Sequence, residues 1–233
     1  MTNASEPPAA VLEVSLIIPT LNAARHLPQT LAACRGVREL LLIDGGSGDD
    51  TVSIARKAGA RIVSANRGRG VQLHKGATEA SSEWLLFLHA DTVLSDEWRR
   101  DAQEFMAHPS NRLCGAVFRF GLDDPSAGAR RLERRVAWRV RRLGLAYGDQ
   151  GLLIHRDLYR SVGGFRAWPL MEDVDLVRRI GRRRLRILPS VARTSAERWR
   201  EEGWRRRSAH NLLCLTLYFL HVPPRLIAKI YAR

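Results

Sequence analysis

Short apolar runs alternate with amphipathic segments along the first half of the chain. Four runs rich in Val, Ile, Leu and Phe have the pattern of buried parallel strands and lie at residues 14–18, 40–43, 61–64 and 84–89. Three segments of helical pattern separate them and lie at residues 24–34, 50–59 and 72–80. This order predicts an α/β domain with a Rossmann-like, doubly wound, mostly parallel sheet flanked by helices. Ligands of such sheets bind outside the carboxyl ends of the strands.

The pattern changes near residue 113. Strand-like runs then lie at residues 113–120, 151–155 and 185–188. Helical patterns lie at residues 129–143, 157–161 and 172–182. We therefore predict a flexible tail at residues 1–12 and one domain at residues 13–194, with halves at residues 13–112 and 113–194. A basic amphipathic helical segment follows at residues 195–233.

Positive charge is concentrated in the second half of the chain. The chain has 38 Lys and Arg against 24 Asp and Glu, a net charge of +14. Residues 1–118 carry 12 basic and 13 acidic side chains, whereas residues 119–233 carry 26 and 11. Because the surplus is almost entirely arginine, it suits a phosphate, a carboxylate or an anionic membrane surface; a GC-rich coding sequence also favours arginine.

The sequence predicts neither a signal peptide nor a membrane span. The first ten residues lack a basic and an apolar region, and the apolar stretch 212–222 has 11 residues, about half of the ~20 that cross a bilayer. The three cysteines lack CxxC spacing and fit a reducing compartment. We expect a cytoplasmic protein, with peripheral contact at the inner face of the cell membrane as a further hypothesis.

Polar residues follow the second and fourth apolar runs. The segment 44–51, DGGSGDDT, places a carboxylate at a strand end, two glycines in a turn and capping residues at a helix start. Free N–H groups there suit a base or ribose, although ordinary turn formation explains the same residues. His89-Ala90-Asp91 follows a strand, where the carboxylate suits Mg²⁺ or Mn²⁺ bridging phosphates, or else caps the next helix.

Two further segments carry charges that suit a reaction. The sequence RGRG at residues 67–70 combines guanidinium groups with glycines that allow close backbone approach, which suits phosphate or an ordinary basic loop. Glu172 and Asp173 begin a predicted helix, where either suits a general base and both suit the positive end of the helix dipole. GxGxxG and GxxxxGK[ST] are absent from the sequence, which excludes those two nucleotide-binding fingerprints.

Seven motifs in order carry a resemblance to a known family. They are SLIIPTLNA (15–23), LLIDGGSGDDT (41–51), RGRGVQLHKGA (67–77), LFLHADT (86–92), YGDQGLLI (147–154), GGF (163–165) and MEDVDLVRRI (171–180). Together they resemble family 2 glycosyltransferases of GT-A fold, in particular the radical-SAM/selenodomain-associated subgroup, over residues 14–200. The resemblance implies an inverting transfer, of hexosyltransferase type, from a nucleotide-diphosphate sugar with help from Mg²⁺ or Mn²⁺.

The same resemblance implies roles for individual residues. The donor base and ribose would contact Pro19, Thr20, Leu21, Asn22, Asp44, Gly45, Gly46 and Ser47. Arg69 would lie near the base or phosphate, and Asp91 would hold the metal. His89 replaces the first Asp of the family's DxD motif and is a second candidate ligand. The expected base is Asp173, with Glu172 as the fallback. A donor-sugar or acceptor loop would contain Gly148, Asp149 and Gln150.

The C-terminal segment suggests where an acceptor binds. Glu197, Arg198 and Trp199 partly match the Q-x-x-R-W element of processive relatives, so Trp199 either contacts substrate or packs on a helix surface. The arginine-rich helix 129–143, with Trp138, and the apolar stretch 212–222 fit an anionic membrane surface and a lipid or isoprenoid acceptor. Packing on the core or a homodimer interface explains these two segments equally well.

Three other functions are compatible with parts of the pattern. A sugar nucleotidyltransferase needs a Gly-rich basic loop after the first strand, where PTLNAAR stands. A basic nucleic-acid-binding module would show a helix-turn-helix, zinc-finger or RNP pattern, and none is present in the sequence, so no specific nucleic acid is expected. A catalytically inactive relative is compatible with His89 in the metal motif.

Overall fold

A mixed sheet forms the centre of the computed structural model, which describes residues 11–231. Its strands are β1 (Leu12–Thr20), β2 (Val37–Asp44), β3 (Arg61–Ser64), β4 (Trp84–Phe87), β5 (Thr92–Leu94), β6 (Gly115–Leu122), β7 (Leu152–His155) and β8 (Leu185–Thr194). Across the sheet they follow the order β3-β2-β1-β4-β7-β6-β8-β5.

Parallel pairing dominates the half of the sheet that begins the chain. β1 pairs in parallel with β2 and β4, and β2 pairs in parallel with β3. In the other half β7 runs antiparallel to both β4 and β6, β6 is parallel to β8, and β5 is antiparallel to β8. This arrangement confirms the predicted mixed, mostly parallel sheet.

Helices flank the sheet, as the sequence pattern predicts. They are α1 (Leu27–Ala33), α2 (Thr51–Lys57), α3 (Arg69–Glu79), α4 (Trp98–Ala107), α5 (Ala127–Leu143), α6 (Arg156–Ser161), α7 (Glu172–Ile180), α8 (Glu197–Glu202), α9 (Trp204–Phe219) and α10 (Pro224–Tyr231). Short 3₁₀ turns lie at Pro109–Leu113, Gly148–Gln150 and Arg182–Arg184. Within residues 11–231, no helix is both long enough and apolar enough to cross a bilayer.

The sheet is buried on both faces. In β1 the side chains of Leu16 and Ile18 join one apolar layer, and Ile17 joins the other. Each buried Leu or Ile of this kind stabilises the fold by about 1.5–3 kcal/mol. A third apolar cluster joins Val174 of α7 to Cys214 of α9, so the C-terminal helices pack beside the start of α7.

Several boundaries differ from the sequence-based expectation. Leu12, expected in a flexible tail, is buried in β1, and residues 1–10 of that tail lie outside the described residues. β4 ends at Phe87, so His89 stands in the turn after the strand. The pattern predicts neither β5 nor α4, and it ends the last strand at residue 188, whereas β8 continues to Thr194.

Candidate active site

One cavity, with a volume of about 310 Å³, brings together residues from distant parts of the chain. Its walls come from the start of α3, the turn after β4, the 3₁₀ turn before β7, the start of α7 and the three C-terminal helices. Five residues that the sequence analysis singles out for chemistry line it, together with Trp199: Arg69, His89, Asp91, Asp149 and Asp173. The cavity is therefore the candidate active site.

Arg69 and Glu172 form an ion pair in the wall of this cavity. The Nε of Arg69 donates a hydrogen bond to Oε1 of Glu172, whose side chain is completely buried, whereas 33% of the Arg69 side chain is exposed. Burial raises the pKa of Glu172, and the charge of Arg69 opposes that shift. Because Arg69 lines the cavity and Glu172 does not, the buried carboxylate holds the guanidinium in place.

Asp173 faces the cavity with a fixed carboxylate. Its Oδ2 accepts a hydrogen bond from Gly148 N at 2.7 Å, and its Oδ1 accepts one from Val174 N at 2.7 Å. Met171, just before α7, has φ of +66°, a left-handed conformation that non-glycine residues rarely adopt. Of the two acids of the predicted ED pair, Asp173 lies at the cavity surface and Glu172 is buried behind it.

Asp149 is a buried carboxyl group beside other acids. Burial raises its pKa to about 7; Arg139 opposes this, and Asp173 and Asp91 add to it. Its Oδ1 is buried and has no hydrogen-bond partner within residues 11–231. The neighbouring Gly148 packs so closely that a Cβ there would collide with the His89 ring. This close packing explains why glycine occupies the turn.

Gln150 does not join this site. Its side chain is buried, and its Nε2 donates a hydrogen bond to the Phe118 carbonyl oxygen at 3.0 Å. The structure therefore places Asp149 on the cavity wall and directs Gln150 into the core, where it anchors the turn to β6.

The turn after β4 supplies a histidine and a carboxylate. Burial and the nearby Arg69 lower the pKa of His89 to about 4, against the opposite effect of Asp91 and Asp173. The ring is therefore neutral at pH 7 and has a free electron pair to offer.

The residues that line the cavity suit a divalent cation that is also coordinated by the phosphates of a bound substrate. Residues 11–231 contain no group of three or more His, Cys, Asp or Glu side chains at metal-binding spacing. Mg²⁺ bound with substrate phosphates needs only one or two protein carboxylates, the rest of its shell being phosphate and water oxygens. Asp91, which is exposed, and the unpartnered oxygen of Asp149 meet that requirement.

The loops predicted to bind the nucleotide lie side by side at the carboxyl ends of β1 and β2. Thr20 and Asp44 are register partners across these strands. Asp44 accepts hydrogen bonds from Gly46 N at 3.0 Å, from Ser47 N at 2.9 Å and from the Thr20 hydroxyl at 3.1 Å. Burial raises the pKa of Asp44, but the hydrogen bonds outweigh it and the pKa lies below its usual value.

Asn22 ties the first loop to the second. Its backbone N donates to the Ser47 hydroxyl, and its Oδ1 accepts from Gly48 N, both at 2.9 Å. Gln72 of α3, which the sequence analysis does not single out, donates from Nε2 to Thr20 O at 2.8 Å and to Ile43 O at 2.7 Å. The remaining predicted residues of these two loops are Pro19, Leu21 and Gly45. None of the residues predicted in these two loops lines the cavity described above.

The residues of the RGRG segment occupy different environments. Arg67 is exposed away from the cavity wall. Gly70 permits close backbone approach, but to a protein loop: a Cβ there would collide with the Arg166 carbonyl oxygen, and Gly70 N donates to Trp168 O at 3.2 Å. Arg69 is the residue of this segment that reaches the cavity.

The C-terminal helices contribute cavity residues that sequence reasoning missed. Arg207, Asn211 and Tyr231 line the cavity together with the predicted Trp199. Arg207 stands in a run of three arginines, and residue type alone does not distinguish it from its neighbours. Its position does, because residues 207, 211, 214 and 218 follow the helical period that marks the inward face of α9.

Comparison with known proteins gives a family match. The model of the family described as "Glycosyl transferase family 2" matches residues 15–165. A "PGL/p-HBAD biosynthesis glycosyltransferase" of Mycobacterium tuberculosis (strain ATCC 25177 / H37Ra) is 33% identical over 165 residues, which are 65% of this chain and 62% of that protein. The chain thus spans less than two thirds of the length of this relative.

Solved structures of low sequence identity share the fold. S. aureus TarS in complex with UDP-GlcNAc aligns with a TM-score of 0.60 at 15% identity, covering 78% of this chain and 58% of that one. Glucosyl-3-phosphoglycerate synthase from Mycobacterium tuberculosis in complex with Mg²⁺ and UDP aligns with a TM-score of 0.55 at 19% identity, covering 82% of this chain and 75% of that one. These similarities show a GT-A type α/β fold.

Proposed function

This chain belongs to glycosyltransferase family 2, and on that premise we propose that it transfers a hexosyl group from a nucleotide-diphosphate sugar, with inversion and assistance from a divalent cation. The observation that carries the proposal is the single cavity in which Asp173 lies with Arg69, Asp91 and Asp149. A general base, a fixed cation and metal-binding carboxylates are the groups that an in-line displacement of a diphosphate requires. The motif order supports membership of the radical-SAM/selenodomain-associated subgroup.

Asp173 acts as the base in this proposal. It lines the cavity, and two backbone N–H groups hold its carboxylate in one orientation. Glu172 is completely buried and paired with Arg69, so it has no access to an acceptor hydroxyl. A base placed within reach of that hydroxyl contributes about 10²–10⁴-fold to the rate.

Arg69 stabilises the departing diphosphate. Its guanidinium is fixed by Glu172 and presents the remaining donors to the cavity. Neutralisation of charge on the diphosphate is the chemistry that Mg²⁺ or Mn²⁺ supplies when bound, and Asp91 would hold that ion with Asp149 or His89. His89, uncharged at neutral pH, adds no repulsion toward a cation.

The donor base and ribose bind, in this proposal, at the linked loops after β1 and β2. Their backbone and side-chain groups lie at the carboxyl ends of parallel strands, where ligands of such sheets bind. S. aureus TarS has been solved with UDP-GlcNAc, and the synthase from M. tuberculosis has been solved with UDP and Mg²⁺. These neighbours support UDP-sugars as the first donors to test.

A lipid or isoprenoid at an anionic membrane surface is the first acceptor to test in this proposal. One face at the end of α9 exposes three large apolar side chains, Leu212, Leu213 and Phe219, and Leu220 directly after the helix is also exposed. Arg205 and Arg206 stand exposed at the start of the same helix. Apolar and cationic groups on one helix complement an anionic bilayer surface, where each cation adds about 1 kcal/mol of attraction.

An assay of the products distinguishes this function from its rivals. The protein is incubated with UDP-, GDP- and dTDP-hexoses, Mg²⁺ or Mn²⁺, and vesicles of a bacterial total lipid extract. A transferase releases a nucleoside diphosphate and a glycosylated lipid. A nucleotidyltransferase, given pyrophosphate, releases a nucleoside triphosphate and a sugar phosphate. Release of neither product with any donor would favour a catalytically inactive relative or a binding module.

A further inference from the structure

The cavity has a second polar wall, formed by segments that follow the family-matched residues 15–165. Trp199 of α8 and Arg207 of α9 line this wall, and each side chain carries a hydrogen-bond donor, the indole Nε1 and the guanidinium Nε. Both atoms are buried, and neither has a hydrogen-bond partner among residues 11–231. Buried donors without partners cost about 1–3 kcal/mol each, so two of them in one cavity wall point to a ligand that supplies acceptors.

Arg207 is held rigidly for such a role. Only 4% of the residue is exposed. Its Nη1 donates to Glu202 Oε1 at 2.9 Å, and its Nη2 donates to the Tyr231 hydroxyl. Arg198 also donates to that hydroxyl, at 3.2 Å. Two guanidinium groups thus meet at the last described helix, with their positive charges close to the cavity.

The two sides of the cavity differ in charge, although Arg69 stands among the acids of one side and Glu197 among the arginines of the other. Asp91, Asp149 and Asp173 lie on the side of the sheet and α7, while Arg198 and Arg207 belong to the C-terminal helices. An acceptor whose hydroxyl meets the base at Asp173 fills the space between these walls. Its far end then meets guanidinium and indole N–H donors, which suit an oxyanion.

We propose that Arg207 and Trp199 bind an anionic group of the acceptor, of the phosphate class. This inference rests on the proposed transferase function and specifies its substrate. The phosphate belongs either to a small soluble acceptor or to the headgroup of a lipid. The donor diphosphate would be held elsewhere, by Arg69 and by the cation that Asp91 would bind.

Calorimetric titration of inorganic phosphate tests the site. The protein is first saturated with UDP and Mg²⁺, so that the diphosphate position is occupied. Arg207→Gln should weaken phosphate binding about tenfold or more, because one charged donor group is lost. Trp199→Phe, which removes the indole N–H, should weaken it in the same direction. Arg183→Gln removes an equal charge from an exposed position and should leave phosphate binding unchanged.

A vesicle assay separates the two sources of the phosphate. Flotation is compared on phosphatidylcholine vesicles with and without phosphatidic acid. Loss of phosphatidic-acid-dependent flotation in Arg207→Gln, but not in Arg183→Gln, identifies a lipid phosphate. Loss of binding to free phosphate alone identifies a soluble acceptor.

Two results would overturn the inference. One is equal phosphate and vesicle binding in Arg207→Gln, Trp199→Phe and the control. The other is a fall in UDP affinity by the same factor as phosphate affinity, which would assign Arg207 to the donor. Because Trp199→Phe is a mild change, it gives a result even where Arg207→Gln does not fold. Failure of the transferase proposal gives a different result, because the wild-type protein would then bind no nucleotide sugar. Phosphate binding is measured in a separate titration, so the two failures are distinguishable.

Discussion

Arg69 of α3 reaches across the fold to the completely buried carboxylate of Glu172, the first residue of α7. The pair joins two elements whose residues are 103 positions apart in the chain. It also separates the roles of two adjacent acids, since Glu172 faces the guanidinium and Asp173 faces the cavity. The ion pair therefore connects the stability of the fold to the geometry of the site.

Removal of Arg69 should destabilise the protein strongly at neutral pH. Arg69→Met leaves a buried carboxylate without its partner, which costs about 3–5 kcal/mol. Without Arg69, burial and the charge of Asp173 raise the folded-state pKa of Glu172 further above the unfolded value of about 4.3. Between these two pKa values the folded state holds more protons, so stability rises as the pH falls.

Urea unfolding at pH 7 and pH 5 measures both effects. Arg67 is the control because it is an exposed arginine close to Arg69 in the sequence. Arg67→Met should change the free energy of unfolding by less than about 0.5 kcal/mol. Equal losses in Arg67→Met and Arg69→Met, or a loss that does not shrink at pH 5, would contradict the assigned ion pair.

Asp44 should stabilise the protein mainly through the turn that it organises. Asp44→Asn weakens several charge-assisted bonds, including those from Gly46 N and Ser47 N, and should cost about 1.5–3 kcal/mol at pH 7. Because the folded-state pKa lies below the unfolded value of about 3.9, the wild-type advantage is complete above that pH and disappears as the pH falls through the folded-state pKa.

Chemical denaturation between pH 7 and pH 3 measures the difference in free energy of unfolding between the wild type and Asp44→Asn. Asp50→Asn is the matched control, since Asp50 is exposed and makes no side-chain capping bond to α2. A difference that stays constant over this pH range would mean that the Asp44 charge does not hold the turn.

Asp173→Asn should separate donor binding from the reaction. The amide keeps the size of the side chain but takes up no proton, so release of nucleoside diphosphate should fall about 10²-fold or more. Donor affinity, measured by calorimetry, should stay within about threefold of wild type. Asp157→Asn, at a carboxylate that is 76% exposed, should retain full turnover. Retained turnover in Asp173→Asn would move the base to another residue, Glu172 being the first to test.

The apolar face of α9 should carry membrane binding. Leu212→Ser combined with Leu213→Ser removes two side chains that are 62% and 48% exposed, so folding should be little affected. Each fully buried Leu contributes about 1.5–3 kcal/mol, and flotation on anionic vesicles should fall accordingly. Leu113→Ser, at a residue that is 65% exposed outside this helix, is the control. Equal flotation of both variants would contradict the proposed surface.

Point substitutions in α9 test membrane binding more specifically than deletion of the C-terminal helices does. Cys214, Leu215 and Tyr218 of α9 pack in the same apolar cluster as Met171 and Val174. A deletion would expose that cluster and disturb the start of α7, where Asp173 lies. Loss of flotation would then report damage to the fold instead of loss of a membrane contact.

The sequence predicts the positions of the parallel strands well because buried strands have a strong local signal, although several of the strand ends differ by two or more residues. β3 has the predicted bounds, Asp44 is the last residue of β2, and Asp91 stands in the turn between β4 and β5. Helix α4 escapes prediction although Trp98, Ala102 and Phe105 follow the helical period, because Asp101 interrupts their apolar face. Asp101 is buried and accepts hydrogen bonds from Ser190 N and Oγ at 2.9 and 2.6 Å, a contact across 89 residues that no local pattern reveals.

The end of β8 and the second cavity wall depend on tertiary contacts. Pro189 suggests the end of a strand, but the pairing of β8 with β6 shifts register there and continues to Thr194. Arg207 is of a residue type usually found at the surface, yet it is buried on the inward face of α9, where Tyr231 of α10 packs against it. The sequence therefore indicates the acids of the cavity, whereas the buried arginine of its second polar wall becomes apparent only in the folded structure.

Calorimetric titration of UDP-glucose and related nucleotide sugars, with Mn²⁺ and with a chelator, tests the central claim most directly. We predict binding that Mn²⁺ strengthens about tenfold or more, and a loss of that gain in Asp91→Asn but not in Asp96→Asn, at an exposed acid nearby. Binding of no nucleotide sugar by the wild-type protein, or equal affinity with Mn²⁺ and with chelator, would contradict a cation-assisted sugar transferase.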